Sequence, residues 1–327
     1  INAGEGSNTI NAGDGNNTIL LTGGSNTVTS GDGVNTIDLV GGMNFGVLGT
    51  GADIVTASGG TNVMDMGEGD NLVTIVAGAN TVTAGDGINR IDIQAGMNRV
   101  VLGDGGDTID VTAGTNDLTA GAGADHVTVA SGNNTLRSGS GADVITLNDG
   151  INSVQAQAGA DTITASSGIN TIDAGNDADV ITLSGGNNTL MAGSGDDSIT
   201  ASGGTNTIAT DEGDNTVVLN AGTNSVTAGS GDDTITATSG INSVDAGLGD
   251  DVILLSGGDN TVLGNSGTDS ITASGGDNVI DAGTENDTIT ATAGNNSINA
   301  GDDDDTITLN GGDNTVFAGS GNDTITA

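Results

Sequence analysis

The 327-residue sequence contains no cysteine and no proline, and aromatic residues make up only 1% of it. Without cysteine, neither a disulfide framework nor a cysteine-based zinc site is possible. Only 3 Lys and Arg residues stand against 43 Asp and Glu, so the formal net charge is −40. Binding of nucleic acid needs clustered cations and aromatic stacking, so we exclude nucleic acid as a partner. No apolar run approaches the roughly 20 residues of a membrane helix, and no membrane insertion is expected.

High charge with few large apolar residues favours disorder when composition is taken alone. The order of the residues indicates otherwise, because the chain repeats every 18 residues without an insertion or deletion. Asparagine occupies all 18 positions of the series from Asn8 to Asn314, and glycine all 18 positions from Gly6 to Gly312. A register kept from end to end predicts a single continuous repeat domain over residues 1–327.

The repeat over residues 228–245 illustrates the local pattern. Each nine-residue half is a glycine turn followed by a short alternating segment. Ile235, Ala237, Val244 and Ala246 fall on one side of these segments, while Thr, Ser and Asp fall on the other. Such alternation predicts β-strands. Two strands and two turns per 18 residues predict an all-β parallel β-roll or β-solenoid of about 18 coils, stacked about 4.8 Å apart.

The predicted core is thin, since each coil buries about four small side chains. Gly46 stands where other coils have Val or Ile, and we expect Phe45 to cover that gap. Ordering 18 residues costs on the order of 20 kcal/mol of backbone entropy or more. We therefore expect a further source of stability besides the hydrophobic core.

The first turn of each coil, with the pattern Gly-x-Gly-x-Asp/Asn, holds 30 of the 43 acidic residues. Its last position is Asn in five coils, at Asn17, Asn35, Asn71, Asn89 and Asn215. In the other 13 coils it is Asp53, Asp107, Asp125, Asp143, Asp161, Asp179, Asp197, Asp233, Asp251, Asp269, Asp287, Asp305 and Asp323. Stacked about 4.8 Å apart, neighbouring carboxylates repel by about 1–3 kcal/mol per pair.

A divalent cation between successive turns removes this repulsion and cross-links the coils. Ca²⁺ accepts six to eight oxygen ligands, and carboxylates and turn carbonyls supply them. The alternative is a solvated acidic edge that keeps the protein soluble. The acidic residues recur at one turn position and are not spread over the surface, so we predict multiple Ca²⁺ ions along one edge, held by the 13 aspartates. The first glycine of the turn is replaced at Gln157, Asp211 and Asn265, and the second at Asp177, Glu285 and Asp303.

The segments Gly-Ser-Gly-Asp-Asp-Thr-Ile at 229–235 and Gly-Ser-Gly-Asn-Asp-Thr-Ile at 319–325 resemble the RTX nonapeptide repeat. The resemblance extends over essentially the whole chain. It implies a parallel β-roll with calcium between stacked turns, and secretion to a calcium-rich exterior. The family includes bacterial adhesins, surface-layer proteins, an ice-binding adhesin segment, and repeat modules of toxins and secreted hydrolases.

Two features depart from that family pattern. The second half of each coil reads Gly-x-Asn, as at Gly204 and Asn206, without the earlier glycine. We expect no calcium at that edge and instead a ladder of stacked Asn amides. In addition, several early coils carry Asn at the ligand position with an acid between the two glycines, at Asp14, Asp32, Glu68 and Asp86. These coils are weaker candidates for calcium, or they use the acid differently.

The function predicted is that of an extracellular, calcium-stiffened rod or filament in an adhesin, surface layer or matrix, without enzyme activity. A flat-sheet module that binds ice or polysaccharide is an alternative, because outward Thr pairs such as Thr234 and Thr236 recur in five coils. Thr is also favoured at exposed strand positions in general. A repeat module of a larger secreted toxin or hydrolase is the other alternative. The repeat phase lets Ile1 continue from Ala327, so copies are expected to stack head to tail unless the chain belongs to a longer repeat protein.

Overall fold

The computed structural model describes residues 1–327 and confirms the predicted fold class, an all-β parallel β-solenoid of about 18 coils without α-helix. It accordingly offers no helix with the length and apolarity to cross a bilayer. The chain divides into two compact units, Ile1–Thr162 and Ile163–Ala327, and each is considered by itself. Whether they behave as the single domain predicted from the repeat stays a prediction.

The first unit contains strands β1 to β16, and most coils contribute one short and one longer strand. The short strands are β1 (Asn2–Ala3), β3 (Thr18–Leu21), β7 (Leu72–Ile75), β9 (Arg90–Ile93), β11 (Thr108–Val111), β13 (His126–Val129) and β15 (Val144–Leu147). The others are β2 (Ser7–Gly13), β4 (Ser25–Ser30), β8 (Ala79–Thr83), β10 (Met97–Val101), β12 (Thr115–Ala122), β14 (Asn133–Ser140) and β16 (Ile151–Ala158). Two strands, β5 (Thr36–Val47) and β6 (Ile54–Asp65), run through a corner and join both halves of a coil.

The second unit repeats the same alternation in strands β17 to β35. The short strands are β17 (Thr162–Ala165), β19 (Val180–Leu183), β21 (Ser198–Ala201), β23 (Thr216–Leu219), β25 (Thr234–Ala237), β27 (Val252–Leu255), β29 (Ser270–Ala273), β31 (Thr288–Ala291), β33 (Thr306–Leu309) and β35 (Thr324–Thr326). The others are β18 (Ile169–Asn176), β20 (Asn187–Ser194), β22 (Thr205–Ala209), β24 (Thr223–Ser230), β26 (Ile241–Leu248), β28 (Asp259–Ser266), β30 (Val279–Thr284), β32 (Ser297–Asp302) and β34 (Thr315–Ser320).

Strands of successive coils pair in parallel, and paired residues are 18 positions apart. Ile109 of β11 pairs with Val127 of β13, and Asn224 of β24 pairs with Asn242 of β26. Each residue therefore stacks on the residue at the same repeat position of the neighbouring coil. The sequence repeat is thus also the spatial repeat, and it brings equivalent turn residues of neighbouring coils together.

The interior of the coil is filled by the apolar side chains that the alternating sequence pattern predicts to face inward. Ile235, Ala237, Val244 and Ala246 are all 0–1% exposed. Where a hydroxyl side chain takes an inward position it is hydrogen-bonded: Ser138 Oγ donates to the carbonyl of Ala156 at 3.1 Å. A buried polar group without such a partner would be destabilising. The thin core is therefore uniform and almost entirely apolar.

The gap at Gly46 is closed differently from our expectation. A Cβ at Gly46 would meet the Sδ and Cε atoms of Met64, which lies one coil further on. Met64 is 2% exposed, whereas Phe45 is 48% exposed. The prediction that Phe45 covers the gap was wrong, because residue alternation turns the side chain next to Gly46 outward. The flexible thioether of Met64 fills the space instead.

Each coil has two edges at which its strands are connected. We call the turns that end at the 13 aspartates and at Asn17, Asn35, Asn71, Asn89 and Asn215 the aspartate edge. The turns that end at the Asn8–Asn314 series form the asparagine edge. Both edges use glycine with positive φ: Gly69 and Gly60 have φ values of 115° and 84°, and a Cβ on either would overlap a carbonyl oxygen of the preceding coil.

Candidate metal edge and amide edge

Twelve of the 13 predicted calcium-ligand aspartates are buried, with at most 1% of each residue exposed. Asp323, in the last coil, is partly exposed. The parallel register places these side chains in columns, one per coil, at the inner side of the turn. Within each unit, the structure therefore brings the predicted residues together along one edge, but as single carboxylates in line and not as clusters.

One carboxylate oxygen of most of these aspartates accepts a hydrogen bond from the backbone of the preceding coil. In the first unit, the backbone N–H of Asp107 donates to Asp125 Oδ1 at 2.7 Å, and that of Asp125 donates to Asp143 Oδ1 at 2.8 Å. In the second unit, Asp233 N donates to Asp251 Oδ1 at 2.8 Å. Oδ1 thus takes part in the backbone ladder of the edge. The sequence did not reveal this second role.

The other carboxylate oxygen, Oδ2, is buried and has no hydrogen-bond partner in most of these turns. This holds at Asp53, Asp107, Asp125, Asp143, Asp197, Asp233, Asp251, Asp269, Asp287 and Asp305. A buried charged oxygen without a partner is costly, since burial removes its hydration and nothing replaces it. Its recurrence in coil after coil points to a partner of opposite charge at this edge.

Burial raises the pKa of these carboxyl groups. The pKa values of Asp125, Asp251 and Asp287 rise to about 7, chiefly through lost hydration and secondarily through neighbouring carboxylates of the same column. Burial likewise raises the pKa of Asp197 and Asp269 to about 6. Without a counterion, each of these groups is therefore easier to protonate than an ordinary aspartate.

In the five coils with asparagine, the side-chain amide donates hydrogen bonds to oxygen atoms of the turn. The Oδ2 atom of an ionised aspartate cannot do so, because it has no proton to donate. Asn89 Nδ2 lies 3.2 Å from the carbonyl oxygens of Gly85 and Gly87 and from Asp107 Oδ1. Asn35 Nδ2 contacts Gly31 O, Gly33 O and Asp53 Oδ1 at 3.2, 3.1 and 2.9 Å. The turn thus surrounds this point with backbone and carboxylate oxygens.

These residues fit calcium. No three His, Cys, Asp or Glu side chains form a cluster that could hold a metal ion, so a cation at the aspartate edge would take part of its ligands from turn carbonyls. Ca²⁺ is the common ion that accepts mixed carboxylate and carbonyl ligands in large number. When bound, it would supply the positive charge that the buried Oδ2 atoms lack.

A family model described as the RTX calcium-binding nonapeptide repeat matches the chain repeatedly between residues 2 and 325, leaving only 38–39 and 74–91 unmatched within that span. The chain belongs to this RTX repeat family. RTX nonapeptide repeats bind calcium, so Ca²⁺ is the ion of this protein, as the turn pattern predicted. The RTX solenoid is a structural and binding architecture.

Among solved structures, the chain is similar to one titled as a hyperactive, Ca²⁺-dependent, β-helical antifreeze protein from an Antarctic bacterium. The two share 19% identity over 97% of this chain and 83% of the other, with a TM-score of 0.32. At that score the likeness says nothing about function. A comparison with curated proteins returns no significant match.

The asparagine edge is closed by its own side chains, which confirms the predicted amide ladder. In the first unit, Nδ2 of each Asn from Asn8 onward donates to Oδ1 of the next, as far as Asn152, at 2.7–2.9 Å. The same distances recur in the second unit from Asn170 to Asn314. A second amide proton reaches a turn carbonyl, as from Asn206 to Gly203 O at 3.0 Å. This edge has no need of an ion.

The three arginines lie on the first unit and neutralise acids of their own or the neighbouring coil. Arg90 contacts Asp92 and Asp110 at 2.8 and 2.6 Å, while Arg99 and Arg137 both face Asp117 at 3.5 and 3.3 Å. All of these side chains are about 34–59% exposed. Exposed ion pairs of this kind contribute about 0–1 kcal/mol each to the stability of the fold, so they are not what holds the coils together.

Proposed function

We propose that this chain is an extracellular structural repeat protein, a calcium-stiffened segment of a rod or filament in an adhesin, surface layer or matrix. The calcium ligands are the carboxylates of the aspartate edge, together with turn carbonyls. The proposed ligands are Asp53, Asp107, Asp125, Asp143, Asp161, Asp179, Asp197, Asp233, Asp251, Asp269, Asp287, Asp305 and Asp323.

The observation that carries this proposal is the row of buried Oδ2 atoms without a partner, as at Asp251 and Asp269. Each uncompensated buried carboxylate disfavours folding by several kcal/mol. The coil is therefore stable only where a cation is abundant, because ligand binding to the folded state is what offsets this cost. RTX repeats are typical of secreted bacterial proteins, and extracellular fluid supplies the calcium that the interior of a cell withholds.

The proposal is tested by circular dichroism of the full chain during a Ca²⁺ titration after chelation. We expect loss of most β-structure in chelator and its cooperative recovery with Ca²⁺. Mg²⁺ is the matched control: it demands a small octahedral shell and releases water reluctantly, so it should restore little. Full β-structure in chelator, indifferent to added Ca²⁺, would overturn the proposal.

Docking of ice or polysaccharide on the flat face of the short strands is less well supported. The row of outward-facing Thr side chains on that face is interrupted in the first unit by Ile54 and Val144 and in the second by Val180. These three residues are 38%, 39% and 49% exposed. Arg90 and His126 interrupt it as well, and both are exposed. A regular ligand lattice needs a regular array, so the structural role is preferred.

A further inference from the structure

The side chains of the five asparagines on the aspartate edge are placed like those of the neighbouring aspartates. They differ in one atom, since Asn has Nδ2 where Asp has Oδ2. Asn71 Oδ1 accepts the backbone N–H of Asp53 at 3.0 Å, and Asn215 Oδ1 accepts that of Asp197 at 2.9 Å. An aspartate Oδ1 accepts the same ladder bond elsewhere on this edge. Asn and Asp have the same shape, so once Oδ1 is placed alike, Nδ2 of Asn occupies the place that Oδ2 takes in Asp.

At that place the amide is surrounded by oxygens of two turns. Asn17 Nδ2 donates to Gly13 O, Gly15 O and Asn35 Oδ1 at 3.1, 2.9 and 3.0 Å. Asn71 Nδ2 donates to Gly69 O at 2.9 Å and to Asn89 Oδ1 at 3.0 Å. An NH₂ group carries two protons with partial positive charge and so binds carbonyl and carboxylate oxygens between coils, as a cation would.

We propose that the side-chain amides of Asn17, Asn35, Asn71, Asn89 and Asn215 take the place of the calcium ion in their turns, which bind no calcium. This inference rests on the proposed assignment of the aspartates as calcium ligands. Four of these five residues lie in the first five coils of the first unit. At the beginning of that unit only Asp53 therefore calls for calcium, whereas the later coils, with an unbroken run from Asp233 to Asp323, are calcium-dependent throughout.

The exposed part of the same turns supports this division. In all five asparagine coils the second position of the turn is an acid, at Asp14, Asp32, Glu68, Asp86 and Glu212, and each is exposed. Among the 13 aspartate coils only two carry an acid there, at Asp104 and Asp302. These coils keep a negative charge, but at a position where water solvates it and no ion is required. This correlation was the sequence signal that could have identified the amide-closed turns.

The exposed acids do not act as substitute ligands for the missing carboxylate. Asp32 Oδ1 accepts the backbone N–H of Thr50, and Asp86 Oδ1 accepts that of Asp104, both at 3.0 Å. These bonds tie the outer carboxylates to the following coil at the surface, away from the buried amide. The turn is thus closed inside by the amide and satisfied outside by solvent and backbone.

The test compares bound calcium in full-length variants by native mass spectrometry and by equilibrium dialysis with atomic emission. D251N places an amide in an aspartate turn and should lower the bound calcium by one ion without loss of β-structure. N71D should raise it by one and increase sensitivity to chelator. The matched control is D250N, which changes the exposed neighbour of Asp251 and should leave the count unchanged.

Hydrogen exchange of the full chain in chelator supplies an independent readout. Backbone amides of the turns that contain Asn17, Asn35, Asn71 and Asn89 should stay protected, while those from Asp233 to Asp323 should exchange freely. A wild-type chain without bound calcium would contradict the proposed function itself. A wild type that binds calcium, with no loss in D251N and no gain in N71D, or with equal protection throughout in chelator, would overturn this inference alone.

Discussion

Within one coil of the second unit, the two edges treat the same kind of side chain in opposite ways. At the asparagine edge, Asn224 Nδ2 donates to Asn242 Oδ1 at 2.7 Å and to Ala221 O at 3.2 Å. At the aspartate edge, Asp233 N donates to Asp251 Oδ1 at 2.8 Å, but Asp233 Oδ2 has no partner. Both residues are buried, and both stack on their equivalents 18 residues away.

The difference follows from what the two side chains carry. An amide is donor and acceptor at once, so a column of amides satisfies itself from coil to coil. An ionised carboxylate only accepts, so a column of carboxylates stays incomplete until a proton or a cation enters it. The asparagine edge is therefore satisfied without a proton or a cation from solution, whereas the aspartate edge is not. We propose that this dependence of the aspartate edge makes the fold respond to calcium.

Protonation tests the comparison with the largest expected effect, since it acts on many turns at once. Burial raises the pKa of Asp125, Asp251 and Asp287 to about 7, above the value of about 3.9 in an unfolded chain. Raised folded-state pKa values mean that the calcium-free folded state gains stability as protons bind, fully below about pH 4, and loses it as pH rises through 7. In chelator, we therefore expect β-structure by circular dichroism to increase as pH falls from 8 to 5.

The position of this transition distinguishes the buried column from the surface acids. Solvent-exposed carboxylates titrate near pH 4, so neutralisation of the general surface charge would give a transition there. The buried column should give one centred between pH 6 and 7, and saturating Ca²⁺ should abolish it. A calcium-free chain that is less ordered at pH 5 than at pH 8 would contradict the expectation.

Much of this arrangement was predictable because an 18-residue repeat without insertions leaves one register. The positions of Ile235 and Val244 in the core, the column of aspartates and the amide ladder all follow from stacking like on like. The burial of the aspartates is also consistent with a ligand that faces the inside of a turn. A residue that recurs at the same repeat position in sequence takes the same place in space, since neighbouring coils are nearly identical.

The features that escaped prediction depend on atoms and not on residue positions. Sequence patterns do not distinguish which carboxylate oxygen of Asp125 joins the ladder or that Asn89 Nδ2 reaches three oxygens. They also misled us at Gly46, where a local departure from the repeat is corrected by Met64 of the next coil. Such corrections come from packing between coils, which a periodic pattern describes only on average.

The same substitution made on both edges sharpens the comparison at single-residue level. N224D replaces a ladder donor by an oxygen that faces Asn242 Oδ1 and Ala221 O. The buried, uncompensated charge should destabilise the second unit by about 3 kcal/mol. We expect a lowered thermal unfolding midpoint, measured by calorimetry, which added Ca²⁺ does not restore.

The matched control is N215D, which lies in the preceding aspartate-edge turn. There the new carboxylate faces Gly213 O, which Asn215 Nδ2 contacts at 2.9 Å, in a turn like those proposed to bind calcium. Its destabilisation should appear in chelator and disappear at saturating Ca²⁺. Equal rescue of both variants by Ca²⁺ would mean that the two edges are chemically alike, contrary to the comparison.

The smallest expected effect concerns backbone geometry, in which the edges also differ. The asparagine edge has glycine with positive φ in every coil, whereas the aspartate edge has six non-glycine residues with positive φ, among them Gln157 with φ of 83°. A left-handed conformation costs an L-residue about 1–2 kcal/mol. Q157G should therefore stabilise the first unit by about 1 kcal/mol, seen as a higher urea midpoint at saturating Ca²⁺. Q155G, two residues earlier on the same strand and also exposed, should instead destabilise it by about 0.5–1 kcal/mol, because glycine there only raises the conformational entropy of the unfolded chain. If both variants lowered the midpoint, backbone strain at Gln157 would be ruled out. The aspartate edge would then accept side chains at its glycine positions without a conformational penalty.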